Sequence, residues 1–371
     1  MKKTEEIFLE LIKVGLWGKT LPIPPLKGGA FNLADIDWEG VYQHAVAQTM
    51  VGVVADGMAT VGMKELQVPK EVKLKTLQQV MQIEEDNEKM NALLPLLYKK
   101  LKKNGLKPCL LKGQGVAQCY PQPNHRQSGD IDLFCYRQED YEKAKDVVSK
   151  VAQHIGGEED HRKHFDCTIE EIVVELHGDI KTQIKKKTDQ YINTFIHNHF
   201  DNYVDLKDEH LGCYLAPPNF DALFIFVHML QHYFNSGIGL RQVCDWLVFL
   251  NHNYEKIDTT LLKEDIQLLG LMKEWQVFGN MAVNMLGYPQ EKMPFYLEKY
   301  MKEGKITLKQ ILKAGNFGRN MYLKDRPKNY ILGKLYTFYK NNMMRLGNLL
   351  IFPQEAIYGI PHLIKDGIKR L

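Results

Sequence analysis

Asp130 and Asp132 stand two residues apart in a run whose residue types and spacing suit metal chemistry. The run Asp130–Cys135 alternates polar and apolar residues as a half-buried strand does, so the two carboxylates share one face. Two carboxylates this close repel each other, and a divalent cation between them removes the conflict. Because carboxylate oxygens are the ligands that Mg²⁺ prefers, the pair predicts a magnesium site. The alternative is a solvated strand face or turn edge.

Glu175 is the one acidic residue within a second short run, Ile172–His177, which is also typical of a strand. A charged side chain in an apolar strand is costly to bury unless it is paired or binds a metal. If the two strands are neighbours, Glu175 becomes a third carboxylate for the same site. Three carboxylates can hold two Mg²⁺ ions, as in two-metal phosphoryl-transfer sites. The alternative is a salt bridge from Glu175 to a neighbouring lysine or arginine.

Residues suited to phosphate binding lie close to the aspartates in the sequence. Lys112 and Gly113 directly follow the short apolar run 108–111, which indicates a strand. A glycine there lets the backbone approach a phosphate, and a lysine can neutralise it. Arg126 lies four residues before Asp130 and could reach another phosphate oxygen. A lysine at a strand end that is simply solvated is the alternative for Lys112.

Three sequence blocks together resemble the DNA polymerase β-type nucleotidyltransferase superfamily, and more narrowly an uncharacterised bacterial group within it. The blocks are Leu110-Leu111-Lys112-Gly113 through Tyr120-Pro121, Arg126-Gln127-Ser128-Gly129-Asp130-Ile131-Asp132-Leu133, and Val174-Glu175-Leu176-His177. The resemblance implies a small mixed sheet flanked by helices and transfer of a nucleoside monophosphate from an NTP to a hydroxyl. It also implies that Asp130 and Asp132 are the first metal ligands and Glu175 the third.

One position departs from the superfamily pattern. Most members have Gly-Ser at the start of the helix after the first strand, whereas Gln114 follows Gly113 in this chain. The missing serine favours a rival hypothesis: a catalytically degenerate fold that acts as a nucleotide-binding or antitoxin-like regulatory partner. The complete carboxylate trio opposes that rival. The first hypothesis remains a Mg²⁺-dependent nucleotidyltransferase.

Further polar residues are candidates for one wall of a nucleotide site. His228 and His232 are spaced i, i+4 on one helix face, and Arg241 and Asp245 are spaced the same way on the next helix. The resemblance to the uncharacterised bacterial group, which tends to carry similar polar positions, implies that these residues close over the nucleotide. A buried polar cluster between two helices is the alternative, and two histidines without a third ligand make a poor zinc site. His177 either contacts the nucleotide or orients Glu175.

These residues must be positioned by an α+β fold with a small mixed β-sheet core and helical flanks. We predict a helical N-terminal region over residues 1–104, a nucleotidyltransferase core over 105–205 and a helical C-terminal domain over 206–371. Within the first region, Asp35 or Asp37 is placed to cap a helix that runs from Trp38 to Met58. In the core, Gly156 and Gly157 end a helix, and Glu170-Glu171 joins two strands.

Composition limits the partners and the compartment. The net charge of +3 argues mildly against long nucleic acid as the acceptor. A small molecule or a protein is the expected acceptor, and ATP is the expected NTP. The six cysteines show no C-x-x-C spacing, which is typical of a reducing compartment. With no signal peptide pattern and no apolar run of about 18 residues, we expect a cytoplasmic protein without a transmembrane segment.

The C-terminal segment has a different charge balance from the rest of the chain. Residues 325–371 contain eight basic and three acidic residues, with aromatic and aliphatic residues among them. Such a segment predicts weak contact with a membrane surface or an anionic partner. The alternative is that its apolar residues pack onto the helical domain.

Overall fold

The computed structural model describes residues 2–18, 35–159, 164–201, 206–208, 211–318 and 326–369. The helices are α1 (Lys3–Trp17), α2 (Trp38–Ala47), α3 (Val51–Val61), α4 (Lys70–Lys103), α5 (Gly113–Ala117), α6 (Gln138–Ser149), α7 (Lys186–Phe200), α8 (Pro218–Asn235), α9 (Leu240–His252), α10 (Thr259–Leu269), α11 (Met272–Leu286), α12 (Met301–Ala314), α13 (Tyr330–Asn348) and α14 (Pro353–Lys369). The strands are β1 (Cys109–Leu111), β2 (Asp130–Phe134), β3 (His154–Glu159), β4 (His164–Ile169), β5 (Ile172–His177), β6 (Leu206–Asp208) and β7 (Cys213–Leu215). Helices and one sheet confirm the α+β class.

The seven strands form one mixed sheet in the order β3-β4-β5-β2-β1-β7-β6. The pairs β2/β5 and β1/β7 are parallel, and the other neighbouring pairs are antiparallel. The predicted turn at Glu170-Glu171 joins β4 to β5, and both residues have positive φ angles of 50° and 66°. The mixed sheet expected from the sequence is therefore confirmed.

Alternation along β2 divides its side chains between two different environments. Ile131 and Leu133 are fully buried in a hydrophobic cluster that includes residues of α4 and α6. Asp130, Asp132 and Phe134 face the other side, where the ring of Phe134 lies against aromatic residues of α7 and α8. The carboxylate face of the sheet is thus the face on which the C-terminal helices pack.

The N-terminal and C-terminal helices share one large hydrophobic core. Trp17 of α1 donates a hydrogen bond from Nε1 to the carbonyl oxygen of Leu286 in α11, at 2.8 Å. No described helix has both the length and the apolar content needed to cross a membrane. The predicted boundaries at residues 104 and 205 stay a prediction, although β6 and β7 extend the sheet beyond 205.

The structure differs from the sequence-based expectation at two places. The helix expected from Trp38 to Met58 begins at the predicted cap Asp37 but breaks into α2 and α3, with Thr49 at a φ of 54°. The break is stabilised by the buried Gln48 side chain, which hydrogen-bonds backbone groups of Leu240, Ile311 and Leu312. Gly156 and Gly157 lie in strand β3, because this segment pairs with β4 instead of ending the preceding helix.

A buried ionic triad attaches the C-terminal helix α14 to the core. Lys185 Nζ, just before α7, lies 2.6 Å from Glu274 Oε1 and 2.7 Å from Glu355 Oε1, and all three residues are buried. Burial, followed by the hydrogen bond to Glu355, raises the pKa of Glu274 to about 8. Burial opposes ionisation of Glu355, but its hydrogen bond with Glu274 and the charge of Lys185 outweigh it and lower its pKa. Glu355 thus carries the buried negative charge that Lys185 compensates.

We expect Lys185→Met to lower the free energy of unfolding by about 3–5 kcal/mol, because it leaves the ionised carboxylate of Glu355 buried without a cation. Urea unfolding followed by circular dichroism measures the change. Lys186→Met, at the exposed neighbouring position, is the matched control and should stay within about 0.5 kcal/mol of the native chain. Equal stabilities of the two variants would contradict the assigned role of the triad.

Candidate active site

Parallel pairing of β2 and β5 places Asp132 directly opposite Glu175. Directly opposed residues in neighbouring strands project to the same face of the sheet, so their carboxylates enter the same cleft. The side chain of Asp132 is 2% exposed and that of Glu175 is 27% exposed. Asp130 begins β2 on the same face. The neighbouring strands assumed in the sequence interpretation of Glu175 are thus present.

Asp132 is compensated by two neighbouring side chains. Lys112 Nζ lies 3.1 Å from its Oδ1, and Nε2 of His177 lies 2.8 Å from the same atom. Because an ionised carboxylate only accepts hydrogen bonds, the imidazole donates. Burial opposes ionisation of Asp132, but Lys112 and His177 outweigh it and hold its pKa well below the usual range.

Asp130 and Glu175 are much less compensated. The charge of Asp132, followed by burial, raises the pKa of Asp130. Burial, followed by the charges of Asp132 and Asp130, raises the pKa of Glu175 to about 8. The cleft therefore concentrates more negative charge than its own lysine and histidine neutralise, which is the electrostatic condition that a bound cation relieves.

The closest group of possible metal ligands differs from the predicted trio. One ligand atom each from Asp132, Glu175 and His177 lies within 4.8 Å of the others, and this is the one such group among the described residues. Asp130 is outside this group, and His177 takes the third place. Two carboxylates and an imidazole suit Mn²⁺ and other transition ions as well as Mg²⁺. The predicted metal role of Asp130 and the predicted nucleotide contact of His177 stay predictions.

Lys112 and Gly113 turn the chain sharply between β1 and α5. Both residues have positive φ angles, 48° for Lys112 and 41° for Gly113. A Cβ atom on Gly113 would lie 3.3 Å from the carbonyl oxygen of Asp130, which is tighter than ordinary van der Waals contact. A glycine at this position therefore lets the turn lie close to the first residue of β2.

Helix α8 forms a second wall of the cleft, opposite the sheet. His228 Nε2 lies 3.1 Å from Lys112 Nζ, and His232 Nε2 lies 3.1 Å from His228 Nε2. The i, i+4 spacing read from the sequence does place both rings on one face. The lysine thus stands between Asp132 on the sheet and His228 on the helix, where it can contact an anion that enters from either side.

Arg126 and Asp245 form a buried, bidentate ion pair. Nε and Nη2 of Arg126 donate to the two carboxylate oxygens of Asp245 at 2.7 and 2.9 Å, and Tyr120 donates to the same carboxylate at 2.8 Å. Burial opposes the charge of Arg126, but Asp245 outweighs it and raises the arginine pKa. Nη1 of Arg126 donates to Ser128 Oγ at 2.8 Å. The pair connects the segment before Asp130 to α9.

Arg241 has much weaker compensation than Arg126. Its Nη1 lies 3.9 Å from Asp245 Oδ2, and its buried Nε has no hydrogen-bond partner among the described residues. Burial, followed by the charge of Arg126, lowers the pKa of Arg241. A buried guanidinium with an unsatisfied Nε at the wall of a cleft suits a phosphate ligand, whose oxygens would accept the missing hydrogen bond.

The residues that the sequence singled out all line one cleft of about 280 Å³. They are Lys112, Gly113, Arg126, Asp130, Asp132, Glu175, His177, His228, His232, Arg241 and Asp245. Sequence reasoning missed other lining residues, among them His164, Asp179, Lys181 and Phe317. Asp179 and Lys181 follow β5 directly, so their position after the Glu-Leu-His block was a usable signal. No pattern indicated Phe317.

Gln114 does not face the cleft as a serine at this position would in the superfamily. Its side chain is 1% exposed and lies between two partners. Ser128 Oγ donates to Gln114 Oε1 at 3.1 Å, and Gln114 Nε2 donates to Asn87 Oδ1 at 3.1 Å. Asn87 in turn donates to the carbonyl oxygens of Asn124 and Arg126. Gln114 therefore braces the segment that carries Arg126 against α4.

The protein has an α+β fold, and its cleft brings carboxylates and basic side chains together. Such an arrangement suits the transfer of phosphoryl and nucleotidyl groups. Residues 34–287 match the model of a family described as "Uncharacterised nucleotidyltransferase", and the chain belongs to that family. No curated protein and no solved structure matches the chain. The resemblance to an uncharacterised nucleotidyltransferase family, inferred from the sequence motifs, is thus confirmed.

The Arg126–Asp245 pair gives a prediction about coupling inside the site. In a double-mutant cycle of Arg126→Gln and Asp245→Asn, we expect a coupling of about 2 kcal/mol or more in the free energy of unfolding, because the pair is bidentate and buried. Arg241→Gln with Asp245→Asn is the matched control, and its longer contact should give a coupling below about 1 kcal/mol. Urea unfolding measures both cycles. Equal couplings would contradict a distinct Arg126–Asp245 pair.

Proposed function

We propose that this member of the nucleotidyltransferase family moves a nucleoside monophosphate from an NTP to an acceptor hydroxyl in a metal-dependent reaction. The observation that carries the proposal is the register that sets Asp132 beside Glu175, in a cleft that Lys112, His228 and Arg241 also line. Carboxylates bind the cations that accompany a triphosphate, and cations bind its oxygens. A cleft that offers both suits an NTP.

The residues fit a divalent cation by their chemistry. Asp132 and Glu175 offer carboxylate oxygens, His177 offers a ring nitrogen, and Asp130 lies on the same face. The raised pKa values of Asp130 and Glu175 reflect negative charge that a cation would neutralise. We propose Mg²⁺, with two ions as the expected number; bound there, it would supply charge neutralisation for the triphosphate and activation of the acceptor hydroxyl.

The chain's own residues have separable roles in this proposal. Lys112 and Arg241 bind phosphate oxygens, and His228 and His232 extend the same wall. Glu175 accepts the proton of the acceptor hydroxyl, because it lies beside Asp132 in the cleft and is the more exposed of the two carboxylates. Arg126 and Asp245 act through their mutual ion pair, which positions the segment that leads into Asp130. They are positioning residues in this scheme.

The acceptor is proposed from charge alone. The near-neutral chain, with a net charge of +3, favours a small molecule or a protein over long nucleic acid, which is bound largely through phosphate contacts. ATP is the NTP that we propose to test first. A cytoplasmic location belongs to the same proposal and is supported by six free cysteines.

A second candidate function is favoured by Gln114. Its amide is committed to Ser128 and Asn87, so no hydroxyl begins α5 to hold a triphosphate as in most of the superfamily. A chain of this kind could bind a nucleotide and act as a regulatory or antitoxin-like partner without transfer. Both candidate functions include nucleotide binding, but only the first includes turnover of the nucleotide.

Calorimetric titration of the four NTPs with Mg²⁺ tests the first candidate. We expect micromolar, Mg²⁺-dependent binding by the native chain and a loss of roughly tenfold or more in Asp132→Asn/Glu175→Gln, because one to two kcal/mol of cation binding is removed. Glu171→Gln, an exposed position in the hairpin before Glu175, is the control and should bind as the native chain does. If the native chain binds no NTP, the proposal is wrong.

Label transfer separates the two candidates once binding is established. ATP labelled at its α-phosphate is incubated with the native chain and a fractionated cell extract, and labelled acceptor is recovered by gel or thin-layer separation. Transfer that the native chain supports and Asp132→Asn/Glu175→Gln does not would support the enzyme. Binding of NTP without any labelled acceptor would favour the regulatory candidate.

A further inference from the structure

The outward face of α13 carries a long stripe of large apolar side chains. They recur every three or four residues, so they lie along one side of the helix and continue into the turn after it. Their side chains are 48–91% exposed: Leu332, Leu335, Tyr339, Met343, Leu346 and Leu350. Ile357, at the start of α14, adds a further exposed apolar residue at 58%. A contiguous apolar surface of this length marks an interaction site.

The same segment has an extreme charge balance. Residues 326–354 contain five basic residues, Arg326, Lys328, Lys334, Lys340 and Arg345, and no acidic residue. The whole chain has 48 basic and 45 acidic residues, so this segment differs sharply from the average. Basic residues combined with an apolar stripe on one helix are typical of surfaces that bind anionic partners.

The helix is held to the core at its C-terminal end, which fixes the outward direction of the stripe. Asn348 is 1% exposed, and its Oδ1 accepts a hydrogen bond from Tyr233 of α8 at 2.8 Å. The carbonyl oxygen of Gly347 accepts a bond from Gln310 of α12 at 2.9 Å. The polar side of the last turn therefore faces the protein, and the apolar side faces away from it.

We propose that the outward face of α13 docks on a membrane surface rich in anionic lipids. The apolar stripe would enter the headgroup boundary, and Lys334 and Lys340 on the same helix would contact lipid phosphates. No described helix is built to cross a membrane, so the helix lies on the surface. A second copy is a poor occupant, because two acid-free basic helices repel each other. The inference does not depend on nucleotidyl transfer.

A lipid surface also fits better than a groove on another protein. The exposed stripe runs from Leu332 along the whole of α13 to Leu350, and a flat surface covers this length more completely than a short groove on another protein. His232, one residue before Tyr233 on α8, lines the cleft. Docking through α13 would therefore bring the lipid surface near the helix that forms one wall of the candidate active site.

Vesicle flotation of the full chain tests the proposal. We expect the native chain to float with vesicles of equal parts phosphatidylglycerol and phosphatidylcholine, to stay behind with pure phosphatidylcholine, and to release as salt is raised. Leu335→Glu/Leu346→Glu should reduce the bound fraction roughly tenfold or more. Lys334→Glu/Lys340→Glu should also reduce binding, and it leaves the apolar stripe intact. Circular dichroism verifies that each variant is folded.

The matched control lies on α4, where Leu74 and Leu77 are each 56% exposed beside Glu84, Glu85 and Glu88. Leu74→Glu/Leu77→Glu makes the same chemical change at similar exposure on an acidic face, and it should float as the native chain does. Absence of flotation, equal binding to both vesicle types, or equal losses in the α13 and α4 variants would overturn the proposal. A dimer that Leu335→Glu/Leu346→Glu dissolves, without flotation, would identify a second copy as the occupant instead.

Discussion

The pairing of β2 with β5 is the constraint on which the rest of the site depends. Parallel register sets Asp132 beside Glu175, with Asp130 two residues before Asp132 on the same face. Like charges in a half-buried cleft are unfavourable unless cations approach them. Lys112 and His177 approach Asp132, and α8 then supplies further basic groups on the opposite wall. The negative charge of the sheet is therefore met by Lys112 and His177 beside it and by basic groups on the facing helix.

A second set of buried charges stabilises the segment that leads into β2. The Arg126–Asp245 pair joins the segment before β2 to α9, and Gln114 braces the same segment against α4 through Asn87. A bidentate buried pair fixes both position and orientation, since neither partner can move without leaving the other charge uncompensated. The position of Asp130 is therefore determined from outside its own strand. Arg241 has no such bidentate partner among the described residues.

Local features could be predicted from the sequence, whereas features that depend on contacts between distant residues could not. Alternation within β2 and β5, the Asp37 cap and the turn at Glu170-Glu171 are local, and each was predictable. The cleft residues on α8 and α9 were found through the family resemblance, but their partners were not. That Asp245 would bind Arg126 and that His228 would lie beside Lys112 depends on packing across more than a hundred residues. The break after α2 depends on Gln48 bonding with distant backbone groups, which no local pattern encodes.

Gln114 favours the regulatory candidate and the carboxylates favour the enzyme. The electrostatics of the cleft bears on the choice between them. A nucleotide can be held without a serine at the start of α5, because Lys112, Arg241 and the backbone turn at Gly113 offer other contacts for phosphate. The excess negative charge around Glu175 has no comparable structural explanation. If the fold served binding to a partner alone, Asp130 and Glu175 would only destabilise it, as their raised pKa values indicate. With a cation bound in the cleft, the same carboxylates would stabilise the fold, since a ligand bound only by the native state stabilises that state. The carboxylates therefore favour a cleft that binds a cation, as the enzyme requires, and Gln114 does not prevent nucleotide binding.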